Sequence, residues 1–70
     1  MRETERQEII RRAGYRLRKA IEREGCNRER QEYLVADIID GLGPRISAAA
    51  EKYSWPRLVD AVIKEATRFQ

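Results

Sequence analysis

Apolar residues recur every three to four positions along most of the chain, and nowhere do they alternate with polar residues over a strand's length. Residues three and four apart share one face of a helix, so this spacing predicts helices throughout. Ile10, Leu17 and Ile21, together with Ala13, Gly14 and Ala20, define the inner face of a first helix over about residues 3 to 24. Gly25 is its expected C-terminal stop, because a glycine takes the left-handed conformation at no steric cost. Asn27 then reads as the N-cap of a second helix, with Glu29 in its first turn, where a carboxylate suits the helix dipole. That helix turns Leu34, Val35, Ile38, Ile39 and Leu42 inward. Its expected end is Asp40-Gly41, with Gly41 at positive φ and Leu42 folded back on the last turn.

The segment "GLGP" at 41 to 44 is the strongest break in the chain. Pro44 suits the first turn of a short third helix, "RISAAAEKY". "SWP" breaks the chain again. A residue before proline is pushed out of the α region, which places Trp55 at the cap of the last helix or just ahead of it. The last helix then runs from Pro56 to about Arg68 and buries Leu58, Val59, Val62, Ile63, Ala66 and Phe69. Two longer helices, a short one and a medium one, joined by short connections, predict an all-α fold: a small compact bundle of about four helices in a single domain, residues 1–70.

Composition makes that bundle a marginal one. Among the 70 residues, sixteen are Ile, Leu, Val, Phe or Trp and eight are Ala, a thin core with many small members. A chain of this length buries only about 60% of its unfolded surface, so self-association as a homodimer, or docking on a partner, is one way to bury more. Gly14 near the inner face leaves room for a close neighbour, for which Trp55 is the expected candidate. Trp55 and Phe69 are expected to be buried for the same reason; if exposed, they and Tyr53 are aromatic anchors for a partner.

Charge divides the chain. Residues 1 to 33 hold ten bases and seven acids, whereas residues 34 to 70 hold five of each, so the net +3 resides in the first half. Within it, "RRAGYRLRKAIER" places Arg12, Arg16, Lys19 and Arg23 in one stripe along about 16 Å of the first helix, away from the inner face. Arg11 and Arg18 flank the other edge with Tyr15. Such a row can follow a phosphate backbone, and Tyr15 with the guanidinium planes can stack on exposed bases. The competing reading is a face kept soluble by charge. Glu8 four residues before Arg12 and Glu22 three after Lys19 supply local compensation, while Arg16 and Arg23 have no acid three or four residues away. The second helix carries the opposite sign outward: Glu29, Tyr33, Asp37 and Asp40 form an acidic row that the basic row could meet on a second copy or across the bundle.

Residues 46 to 66 have the outline of a helix-turn-helix, with Arg57, Lys64 and Arg68 facing outward where a recognition helix presents side chains. Tyr53-Ser54-Trp55-Pro56 fills a turn that usually opens on glycine, and Asp60 and Glu65 repel phosphate. Two packed bundle helices are the expected arrangement.

The remaining chemistry is sparse. The chain has no His and one Cys, which leaves no internal disulfide and no zinc site of the usual Cys and His ligands. Cys26, between Arg23 and Arg28, reads as incidental, since a thiol catalyst here lacks its commonest base. Asp37 and Asp40 are too few to hold a divalent cation. No nucleophile–base pair, cofactor motif or phosphate loop is visible, so an enzyme is not expected. "MRETERQEII" has no apolar core and no signal peptide is expected; with no membrane-length apolar run, the expected location is cytoplasmic and no membrane partner is expected. Two function classes remain. One is a nucleic-acid-binding module, such as a small regulator. The other is a protein-interaction module for an acidic protein surface, or a small inhibitor of host machinery of the anti-CRISPR-like kind that phages and mobile elements encode.

Overall fold

In the computed structural model, which describes residues 3–68, four helices follow one another: α1 (Glu5–Glu24), α2 (Arg28–Gly41), α3 (Pro44–Ala50) and α4 (Trp55–Thr67). The fold is all-α, as the periodicity predicts. α1 packs chiefly on α4 and secondarily on α2, while α3 lies against α2 and α1. α3 and α4 scarcely touch, so residues 46 to 66 form neither the close pair of a helix-turn-helix nor the expected pair of mutually packed helices; each packs on α1 and α2 instead.

Local chemistry sets most of the boundaries. Thr4 caps α1 through a reciprocal box: its hydroxyl accepts from the Gln7 N–H, and the Gln7 amide oxygen accepts from the Thr4 N–H, each at 3.1 Å. This box moves the helix start to Glu5. Gly25 ends α1 in the left-handed region (φ 64°), its N–H donating to the Ile21 carbonyl at 2.8 Å. The Asn27 side chain accepts from the Arg30 N–H at 2.9 Å and opens α2.

The third break differs from expectation. Gly41 remains helical, and the positive φ (111°) falls on Gly43, the residue before Pro44. Leu42, at right-handed φ and ψ, donates its N–H to the Ile39 carbonyl at 3.1 Å, so α2 tightens before it ends and the chain reverses one residue later. α3 also stops early. Glu51, Lys52 and Tyr53 bond back three residues to Ala48, Ala49 and Ala50, an over-tight turn that does not continue the helix. Trp55 is the first helical residue of α4 and Pro56 the second, where a missing N–H costs nothing. Substitution separates the two glycines. Gly41→Ala is expected to raise stability by about 0.4–1 kcal/mol, since an added Cβ meets nothing closer than an Arg16 nitrogen at 3.9 Å. Gly43→Ala is expected to lower it by about 1 kcal/mol or more, because an L side chain rarely adopts its backbone angle. Urea unfolding followed by circular dichroism reads both.

All four helices feed one core. Ile9, Leu17, Val35, Ile46, Leu58 and Val62 are its largest fully buried side chains. Ile9 stands at the centre of the α1 stripe with Ala13, Leu17 and Ala20, while Ile10 and Ile21 are only partly buried against its flank. The stripe centres on the small residues Ala13, Gly14 and Ala20, all buried, and α4 comes close at Gly14. On α2, Val35 and Ile39 are buried, and Leu34, Ile38 and Leu42 cover the edges. α4 buries Leu58, Val59, Val62, Ile63 and Ala66 as expected; Phe69 lies outside the described residues.

Gly14 is filled by α4 and not by Trp55. A Cβ there would sit 2.7 Å from Glu65 Cγ and 3.0 Å from Glu65 Cβ, so the glycine sets how closely α1 and α4 approach. Trp55 is 43% exposed, contrary to the expectation of burial. It continues the α4 stripe, but at the helix's first residue, where the side chains sharing its concavities include the small Ala36 and Ala50. Exposed ion pairs brace the outside: Glu8 to Arg45, Glu5 to Lys52, and Arg28 to Asp60.

Candidate functional site

The basic stretch lies on the outer side of α1, with Tyr15 63% exposed at its middle. Five of its members gather there. Arg11, Arg12, Tyr15 and Arg16 line an open concavity of about 520 Å³ together with Leu42, which comes from the end of α2. Arg11, Tyr15 and Arg18 line a smaller neighbour of about 150 Å³ with Gly14 and Glu65. The Lys19 ammonium sits 5.5 Å from the centre of the Tyr15 ring, a cation–π distance. The expected straight row of Arg12, Arg16, Lys19 and Arg23 is therefore better described as a cluster around Tyr15, with Arg23 outlying. Leu42 was not visible as part of the site in sequence, because it arrives from another helix.

Much of the positive charge already has a carboxylate nearby. Arg11 makes a two-point contact with Glu3, at 2.8 and 3.1 Å, across the α1 start. Arg18 donates to Glu22 at 3.1 Å, so Glu22 serves Arg18 and not Lys19. Arg12 lies 3.7 Å from Glu8, and Arg23 lies 3.8 Å from Glu24. These partners sit within α1 and its approach; they do not come across the bundle from the acidic row of α2. The bond from Arg11 holds the Glu3 carboxyl below its ordinary pKa. Such a group favours folding above the ordinary carboxylate range and loses that contribution as pH falls through its lowered value. All four are exposed pairs, which contribute little to stability and give way readily to a stronger anion.

Arg16 differs from these four. Among the described residues it has no ion pair, and its guanidinium lies near Gly41. α2 has no basic residue in its own last turn, so Arg16 supplies a cation beside that helix's negative end.

No protein-family model, curated protein or solved structure matches this chain.

The other candidate residues lie elsewhere. Glu29, Tyr33, Asp37 and Asp40 are all exposed on α2, with Tyr33 at 67%. Asp40 accepts from the Ser47 hydroxyl at 3.1 Å. Arg57, Lys64 and Arg68 are exposed on α4, Lys64 held to Asp60 at 3.1 Å and Arg68 to Glu65 at 3.8 Å. Bonds from Lys64 and Arg28 lower the Asp60 pKa. The Cys26 thiol points to Glu24, 3.7 Å away. Among the described residues no cluster of three potential metal ligands forms, and no helix is long and apolar enough to cross a membrane.

Proposed function

We propose that this chain is a non-catalytic module that grips the backbone of nucleic acid through α1, with Tyr15 at the centre of the contact. The observation that carries this reading is the composition of the larger of the two α1 concavities. Three guanidinium side chains and an exposed phenol ring line it, with no carboxylate among the lining residues. Guanidinium forks match phosphate oxygens, and each phosphate neutralised releases counterions. Tyr15 offers a ring face on which an unpaired base can stack, which favours single strands over duplex. Binding of this kind reads backbone and ring, and suits a regulator whose target is chosen by accessibility more than by sequence.

Amide chemical-shift mapping with a twelve-residue thymidine oligonucleotide tests the location. The expected shifts cluster at Arg11 to Arg16 and at Leu42. Shifts confined to Tyr33–Asp40, or none at low salt, would contradict the reading.

A further inference from the structure

We propose a second binding site on the opposite-charge face of the molecule: the cleft between Tyr33 and Trp55 takes an arginine-bearing segment of a protein partner. It is independent of the α1 site, shares no residue with it, and stands or falls separately.

Three neighbouring concavities converge on Trp55. The first, about 410 Å³, is lined by Tyr33, Ala36 and Trp55 with the carboxylates of Glu29 and Glu32. The second adds Asp40 and Glu51 beside Ala36 and Ala50. The third lies against Pro56, Val59 and Asp60. Two of the three large exposed apolar side chains of the described residues, Tyr33 at 67% and Trp55 at 43%, thus meet in one cleft. A chain with so little apolar material gains nothing in stability from leaving a tryptophan half open. An aromatic pair set among small side chains is what a binding anchor requires.

Charge complementarity names the occupant. The chain is +3 overall, yet the first two concavities carry only acidic ionisable groups. A cation that enters meets ring faces and carboxylates together, and guanidinium satisfies both, stacking on the rings and forking to the acids. The fold contains its own instance of that preference. Arg28, at the edge of the third concavity, spans Glu32 and Asp60 with contacts of 3.3 Å to each. Glu29 has no ion pair among the described residues and is left to face the incoming group.

Trp55 is the single tryptophan of the sequence, so its emission reports on this cleft alone. The probe is the capped peptide Gly-Arg-Gly-Arg-Gly, compared with its citrulline counterpart, which keeps the shape and loses the charge. The arginine peptide is expected to change Trp55 emission saturably, and the citrulline peptide to leave it unchanged. Glu29→Gln with Glu32→Gln is expected to weaken binding about tenfold or more, and Tyr33→Ala to weaken it too, both with helix content intact. Arg16→Gln on α1 is expected to leave it unaltered, which separates this site from the α1 reading. No response at millimolar peptide, an equal response to citrulline, or full binding by the double carboxamide variant would overturn the proposal. So would emission that depends on protein concentration without peptide and loses that dependence in the carboxamide variant, since a second copy would then fill the cleft.

Discussion

Leu17→Ala is expected to remove about half of the protein's folding stability. Leu17 is fully buried in the middle of α1, in the core shared by all four helices. Emptying such a site costs about 2–5 kcal/mol, the lost transfer energy plus the cavity left behind. A domain of this size has roughly 3.5–10 kcal/mol in total, so one leucine is a large share of it. The same logic grades the neighbouring isoleucines. Ile9→Ala, at a fully buried position, is expected to cost about 2–5 kcal/mol, and Ile10→Ala, at the flank, about half as much or less. Thermal unfolding by circular dichroism measures all three. An Ile10→Ala variant less stable than Ile9→Ala would show that the α1 stripe is centred elsewhere.

The second large effect is on binding. Arg16→Glu is expected to weaken single-stranded DNA binding by tenfold or more at near-physiological salt. The change removes a cation from the concavity and puts an anion in its place, and a penalty of about 1.4 kcal/mol already gives tenfold. Arg23→Glu is the informative contrast. Arg23 lies outside the Tyr15 concavities and beside Glu24, and its reversal is expected to change affinity only about threefold, through the general field. Arg16→Glu also sets a negative charge beside the C-terminus of α2, at a cost of about 0.3–1 kcal/mol in stability. Arg16→Gln removes the cation without adding an anion, and is expected to bind several-fold more weakly than the parent. Anisotropy of a labelled oligonucleotide reads each variant. Equal losses for Arg16→Glu and Arg23→Glu would point to diffuse charge and away from a site at Tyr15.

The punctuation of this fold is legible in sequence where a single residue carries it. Gly25, Asn27 and Pro44 each have one favourable use, and the structure employs each in that way. The Thr4-to-Gln7 box was equally readable and fixes the α1 start more closely than periodicity does. Where two residues compete for a role, local chemistry stops deciding. Gly41 and Gly43 both tolerate positive φ, and the choice falls to how the chain must enter α3. Ile9 and Ile10 are adjacent, and which one is central depends on where α2 and α4 lie. The exposure of Trp55 is likewise a property of its neighbours, among them Ala36, which comes from α2 and lies far from Trp55 in sequence.

The candidate site follows the same division. Its cations and Tyr15 are visible as a pattern on one helix. The carboxylate each arginine takes is not, since Arg11 reaches eight residues back to Glu3 while Glu22 goes to Arg18 in preference to Lys19. Nor is the role of Arg16 at the end of α2, which needs both helices in place.

The salt dependence of binding is the sharpest probe of a phosphate grip on α1. A labelled twelve-residue thymidine oligonucleotide is titrated with the wild-type protein at a series of salt concentrations from low ionic strength to about 150 mM. Engagement of roughly three phosphates by the cluster around Tyr15 gives a slope of log affinity against log salt of about −2 for a single strand. That slope, reduced by about 0.7 in Arg16→Gln, is the expected result. Absence of binding at low salt, or binding whose strength does not change with salt, would contradict a phosphate grip on α1.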